Sequence, residues 1–347
     1  MMSTRKAIVF WGGIGTILLL FSMTISLSIG TAKLPFTHVW SIIINELPFL
    51  SNTFTPVWEA SAEQILLKVR LPRIVLAVLV GACLSLAGVG FQGVLRNPLA
   101  DPYILGVSSG AAVGASFIIL FQLNTVLFGL WTVPIVAFLT AMLSLLAVLK
   151  LANIQGHQPL ETIILSGVVI SAFLGAFVSL MVSLSDKSMN QIIFWLMGSL
   201  SMQGWPFIYI LLPYAIIGFI LLMIYSHHLN IFALGERQAA HLGIRVKRTR
   251  LIILIISTFI TAAAVAIVGT IGFVGLVVPH LVRLIVGPDY RVIIPISVIF
   301  GALYVLLADT LARTLMSPTE IPLGVVTAFL GAPFFGYLLR RSKHVNN

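Results

Sequence analysis

The sequence predicts an all-α integral membrane protein with ten transmembrane helices, both termini cytoplasmic, and one short helix at the extracytoplasmic face. Three observations predict it. Of 347 residues, 59% are apolar and only 9% are charged, against about 45–50% and about 25% in soluble domains. The 20 Lys and Arg with 10 Asp and Glu are too few to cover the surface of a water-soluble chain of this length. Charge-free runs also recur at lengths matching the roughly 20 residues needed to cross about 30 Å of hydrocarbon. Finally, the basic residues divide unevenly between the two sides once those runs are threaded through a bilayer.

The runs justify the spans in order. Run 7–32 follows Arg5 and Lys6 as a secretory leader would, but no small-residue cleavage pattern precedes Lys33, so it reads as a retained first span. Run 74–95 is the second. Run 102–149 is long enough for two, with Gln122, Asn124 and the Pro134 region at the turn. Run 162–185 is the fifth span, and the sixth starts near Pro206 within run 188–235. The piece before it, 190–203, is too short to cross. Run 251–282 breaks at Gly269-Thr270-Ile271-Gly272, leaving one span before the break and another continuing to about Arg283. Runs 292–308 and 321–339 complete ten, and residues 1–347 read as a single transmembrane domain.

With ten spans both ends share a side. An inner N-terminus leaves Lys33, Lys68, Arg70, Arg73, Lys187 and Arg313 outside, and the other fourteen of the 20 basic residues inside, as the positive-inside rule requires. The net charge of +10 is thereby assigned to cytoplasmic loops and membrane lipid rather than to nucleic acid. A single cysteine, Cys83, excludes an internal disulfide framework. No Gly-x-x-x-x-Gly-Lys-Ser/Thr loop occurs, so ATP is not hydrolysed by that route on this chain. His157, His241 and His280 stand apart and His227-His228 are adjacent, which gives no metal spacing and no cofactor. The span interiors are nearly uncharged, which disfavours an ion-coupled secondary transporter. Asp309, Glu161 and Arg283 sit near span ends, where snorkelling or an aqueous mouth accounts for them.

Two stripes of small residues stand out. Gly106, Gly110 and Gly114 recur every fourth position, a pattern that brings helices close in lipid. Ser171, Gly175 and Ser179, with Ser183 beyond, lie along one helical face and either line a watery pathway or bond to neighbouring helices. An echo, Gly90-Phe91-Gln92-Gly93 and Gly272-Phe273-Val274-Gly275, precedes Pro98 and Pro279. The longest cytoplasmic segment, about 229–250, holds Leu234, Gln238 and Leu242 on one helical face with Ala239 beside them. That face docks in a groove of another protein, or rests on anionic lipid with the basic run Arg245, Lys247, Arg248, Arg250.

Leu234-Gly235-Glu236-x-x-Ala239-x-x-Leu242-Gly243 resembles the cytoplasmic coupling loop of FecCD-type permeases, membrane subunits of ABC importers for iron-siderophores, haem and cobalamin. Arg70-Leu71-Pro72-Arg73, Asn97-Pro98-Leu99-Ala100-Asp101-Pro102, Leu105-Gly106-Val107-Ser108-Ser109-Gly110 and Gly272-Phe273-Val274-Gly275-Leu276-Val277-Val278-Pro279-His280 stand in the family's order. Glu320-Ile321-Pro322-Leu323-Gly324 and Gly331-Ala332-Pro333 follow. The resemblance covers about residues 65–340. It implies a permease subunit of the cytoplasmic (inner) membrane of a prokaryote, pairing with a second permease subunit, identical or related. Cytoplasmic ATP-binding subunits would be contacted through Leu234, Gly235, Glu236, Gln238, Ala239, Leu242 and Gly243. An extracytoplasmic substrate-binding protein would place acidic residues on Arg70, Arg73 and Arg313. Leu71, preceding Pro72, is expected to be extended, so that both neighbouring guanidiniums project outward from a fixed corner; the alternative is an anchor on lipid phosphate. By the same resemblance Asn97, Leu99, Leu160 and Glu161 would form a cytoplasmic gate, where Glu161 departs from the expected small polar residue. The 190–203 piece would be an outer gate helix.

Overall fold

The computed structural model describes residues 3–30, 34–46, 54–55, 57–123, 128–153, 159–201 and 203–345. Lys33, Asn124 and His157 lie outside the described residues. Among those described, all regular structure is helical: α1 (Thr4–Ser28), α2 (Phe36–Asn45), α3 (Ala60–Gln64), α4 (Leu71–Leu95), α5 (Val107–Leu120), α6 (Thr132–Leu151), α7 (Leu160–Ser183) and α8 (Met189–Leu196), then α9 (Trp205–Ile224), α10 (Ser226–Phe232), α11 (Glu236–His241), α12 (Val246–Val268), α13 (Val274–Val286), α14 (Tyr290–Thr314) and α15 (Leu323–Val345). Seven helical segments are long and apolar enough to cross a membrane, and α5, α13 and α15 are shorter apolar helices.

Helices apolar on every side belong inside a bundle or against lipid, and burial separates the two. Helices α4 and α12 form the centre, with 83% and 78% of their apolar windows buried, whereas α1 and α7 have 6% and 22% and lie at the surface. Close approach around α4 is made possible by paired glycines. A Cβ at Gly81 would lie 2.2 Å from the Gly301 carbonyl oxygen of α14, and one at Gly88 would lie 2.0 Å from that of Gly275 in α13. The Gly110 and Gly114 stripe seats α5 on α6 in the same manner, against Thr140 and Ser144.

Two prolines explain local departures from regular helix. Pro279, inside α13, has no N–H to offer Gly275 four residues earlier. The buried Gln92 of α4 supplies the donor instead, its Nε2 lying 3.0 Å from both the Gly275 and Leu276 oxygens. The two members of the Gly-Phe echo therefore touch rather than repeat one another, since the first is continuous helix and the second starts at Phe273 with a φ of +68°.

Pro72 corrects the expected extended corner. Leu71 is helical, and a π-helical stretch, Ile65–Arg70, joins α3 to α4 without a break. In that i→i−5 register the Leu71 N–H bonds to Leu66 O. Pro72 cannot continue it, and the Leu67 carbonyl accepts the Trp205 indole N–H at 3.1 Å. Several helices also overrun their charge-free runs. Arg73, Arg250, Arg291, Asp309 and Arg313 all lie within helices, because charge marks the edge of the hydrocarbon and not the end of hydrogen bonding.

Candidate functional site

At one end of the bundle, α10, α11 and the start of α12 form a compact loop. Gly235 opens α11 at a φ of +111°, and Gly243 closes it at +84°. The Gly243 N–H bonds to Ala240 O and the Ile244 N–H to Ala239 O, the paired closure that needs a left-handed residue after a helix. Leu234 and Leu242 are each 61% exposed, and Gln238 is exposed between them. Ala239, expected beside that face, is fully buried and points into the protein instead. Six residues make too short a helix to carry one face from 234 to 242, so both leucines sit on flanking turns. Glu236 is bound by Arg250 of α12 and lies 3.6 Å from Arg96 at the end of α4. The neighbouring α10 is anchored by Asn230, whose amide donates to Asp289 at 2.8 Å and accepts from the Tyr290 N–H at 2.8 Å.

Arg96 ends α4 in a left-handed turn, with a φ of +47°. The next residue, Asn97, accepts the Leu99 N–H on Oδ1 at 2.9 Å, leaving Leu99 37% exposed. This turn thus shares an ion pair with the loop carrying Leu234 and Leu242. Leu160 and Glu161 begin α7, and Glu161 is exposed in its first turn, where the helix dipole favours an acid. Among the described residues no hydrogen bond or ion pair joins these two to Asn97 or Leu99 within the subunit.

A cleft runs from that turn toward the far end. Its first part, about 440 Å³, is lined by Asp101, Tyr103, Ile104, Val168, Ser171, Gly272, Phe273 and Leu276. The second, about 620 Å³, adds Ser108, Leu196, Met197, Thr270, Gly324 and one face of α15 to Tyr103, Gly272 and Phe273. Of the serine stripe, Ser171 faces the cleft with a buried, unpartnered hydroxyl. Gly175 has open space beside it, and Ser179 bonds to the Gly175 oxygen at 3.1 Å. The cleft wall is built from irregular backbone. Beyond α8, the Ser199 N–H bonds to Val268 O, and the Leu323 and Gly324 N–H groups bond to Gly198 and Met197. The short 190–203 piece thus contains helix α8, whose end is tied to the α12–α13 break and to α15.

The arginines at the other end face inward, against expectation. Arg70 is 5% and Arg313 6% exposed. Helix α1 ends with carbonyls that lack intrahelical donors, and these arginines supply them: Arg70 Nη1 bonds to Leu27 O at 2.7 Å, and Arg313 Nη1 to Ile29 O at 3.0 Å. Arg73 binds fully buried Asp309 through Nε and Nη2, at 2.9–3.1 Å, and Glu320 through Nη1 at 2.8 Å. Glu320 also accepts from Ser201, just beyond α8. These guanidiniums tie α1, α4, α14 and the α8 turn together within the chain. Asp309 likewise sits inside the protein rather than at an aqueous mouth. Sequence reasoning missed Tyr103, Phe273, Ser201 and Glu320 as members of these sites. The resemblance motifs contained Tyr103's neighbours, Phe273 and Glu320 without marking them.

The chain belongs to the FecCD transport family, which it matches over residues 18–341. It is 41% identical to an uncharacterized ABC transporter permease of Bacillus subtilis, over 94% of this chain and 92% of that one. It is also 41% identical to a cobalamin import system permease of Halobacterium salinarum, over 91% and 86%. A solved metal-chelate type ABC transporter in an inward-facing conformation superposes with a TM-score of 0.80 at 34% identity, covering 96% of this chain and 99% of that chain.

Proposed function

We propose that this FecCD-family chain is the permease subunit of a prokaryotic ABC importer that carries a large metal chelate across the cytoplasmic membrane. One observation carries the reading: a cleft lined by broken helices, joined through Arg96 and Glu236 to an exposed leucine-bearing loop. The relatives reported above, ABC permeases rather than ion-coupled carriers, support it, as does the scarcity of charge in the spans. The metal chelate is the substrate class named for the solved structure, and cobalamin that of the Halobacterium relative; an iron(III)-siderophore or haem has the same character.

In this reading α5, α13 and α15 cross with the seven longer segments, giving ten spans with both termini cytoplasmic. The 3-10 turn Pro102–Leu105 adds about 8 Å to the roughly 21 Å of α5, enough to reach across the hydrocarbon. A second subunit, identical or related, faces the cleft and completes the pathway. Leu160, Glu161, Asn97 and Leu99 of the two subunits close its cytoplasmic mouth, and Gly175 and Ser179 extend its wall beyond Ser171. Gly235 and Gly243 shape the loop that seats Leu234, Gln238 and Leu242 in a cleft of a separate ATPase subunit. ATP binding would displace that loop, and the Glu236–Arg96 pair would pass the displacement to the turn holding Asn97. An extracytoplasmic binding protein delivers substrate at the α8 end.

The test is a double substitution, Leu234→Glu with Leu242→Glu. Both side chains are mostly exposed, so the chain should still insert and keep its melting temperature. Co-purification with the ATPase subunit and substrate uptake should both be lost. Retention of both would remove the loop from the coupling machinery.

A further inference from the structure

The two parts of the cleft meet at Tyr103, Gly272 and Phe273, which line both. Phe273 is held at a φ of +68°, a region that a large aromatic residue enters only when its surroundings impose it. Two contacts impose it here. A Cβ at Gly331 of α15 would lie 2.5 Å from the Phe273 Cβ and 2.6 Å from its ring, so only glycine lets the ring seat against α15. On the other side the Tyr103 hydroxyl donates to Ile271 O at 2.8 Å and accepts the Ile271 N–H at 3.0 Å. That pair of bonds satisfies both backbone groups of the residue at the α12–α13 break and fixes the approach to Phe273. Beside it, a Cβ at Gly272 would meet nothing within 4 Å, so the cleft is open next to the ring.

We propose that the Phe273 ring, positioned by Tyr103 and Gly331, is the barrier that divides the pathway into two chambers and must move for substrate to pass. This rests on the pathway reading given above. An apolar ring at the neck stops water and solutes from running continuously between chambers of about 440 and 620 Å³. Because the ring is seated on α15 while its backbone belongs to the α12–α13 break, a displacement of one against the other shifts it. The loop hydroxyl of Tyr103 places Phe273 and does not itself close the neck.

Sidedness of labelling tests the barrier in the assembled transporter. Cys83 is buried and is the sole cysteine, so single cysteines can be read against an unlabelled background. Val168→Cys reports on the smaller chamber and Phe329→Cys on the larger. With Phe273 present, a membrane-impermeant maleimide should reach each from one face only, and from opposite faces in right-side-out and inside-out vesicles. Phe273→Gly should make both positions react from both faces. Glycine also relieves the positive φ, which offsets part of the packing lost with the ring. Phe273→Asn, a second residue tolerant of that conformation, gives the same expected loss of sidedness should the glycine variant fail to assemble, and Phe273→Trp should preserve sidedness. Unchanged sidedness in the Gly and Asn variants, or two-sided labelling with Phe273 in place, overturns the barrier while leaving the pathway standing. Labelling at neither position from either face overturns the pathway itself, and the barrier with it.

Discussion

Asp309→Asn isolates the ion network at the α8 end. The carboxylate is fully buried, takes two hydrogen-bonding nitrogens of Arg73 at 2.9–3.1 Å, and lies 3.6 Å from Arg313 Nε. The amide keeps the volume and one acceptor but removes the charge that compensates both guanidiniums. Breaking a buried pair by removing one partner costs about 3–5 kcal/mol. Two features place this case at the low end. Arg73 retains Glu320, whose side chain is 37% exposed, and Arg313 retains the carbonyls at the end of α1. A loss of about 3 kcal/mol lowers the melting temperature of a chain this long by roughly 6 °C, at about 2 °C per kcal/mol. Thermal unfolding of the purified subunit in detergent reads it. Pairing Arg73→Met with Asp309→Leu should recover much of the loss, because apolar replacement of a buried pair is close to neutral. A shift under about 2 °C in the single variant would refute the internal-tie account, since it would mean that the arginines are solvated. A double variant no better than the single one would refute the pairing.

Further outcomes follow from the other interior bonds. Gln92→Leu leaves the Gly275 and Leu276 carbonyls without their side-chain donor inside the bundle; at about 1–3 kcal/mol for an unsatisfied buried group, melting should fall measurably, and an unchanged curve would mean that Pro279 is accommodated some other way. Asp289, in the loop before α14, is held down to about 2 from 3.8, chiefly by hydrogen bonds from Arg291. Its folded value is depressed, so its stabilisation is complete above about pH 4 and is lost as the pH falls toward 2. The difference in melting temperature between the parent and Asp289→Asn should therefore be flat at neutral pH and shrink only in acid; a difference that varies between pH 6 and 8 would contradict it.

The helical, membrane-type character of the chain, with seven segments long and apolar enough to cross, was legible because charge scarcity is a bulk property that needs no knowledge of contacts. The break at Gly269–Gly272 was legible from its glycines, and the short 190–203 piece from its length. What sequence reasoning misjudged depends on partners distant along the chain. Arg73 looked like a surface cation because its acids, Asp309 and Glu320, lie 236 and 247 residues away. Leu71 looked extended because proline disfavours helix before it, yet the Leu67 carbonyl that Pro72 leaves without a donor is taken up by Trp205, 138 residues on. Ala239 was grouped with Leu234 and Leu242 by spacing alone, whereas α11 spans only Glu236–His241 and turns that residue inward. Helix α2 carried a signal that was overlooked, since Val39 and Ile42, three apart, are its buried face.

The irregular backbone at the centre of the chain is itself the best pointer to where substrate passes. In hydrocarbon every N–H and C=O must find a partner, so non-helical backbone at membrane depth survives only when buried in protein or lining a watery cavity. Here the irregular segments 102–106, 197–199 and 269–273, with the start of α15, converge on one cleft. Each satisfies another's backbone: Val268 with Ser199, Gly198 with Leu323, Met197 with Gly324, and both groups of Ile271 with the Tyr103 hydroxyl. The repair ties α8, α15 and the α12–α13 break to one another, while α4 and α12 form the buried centre. On the pathway reading proposed above, Phe273 lies where these cross-tied elements meet.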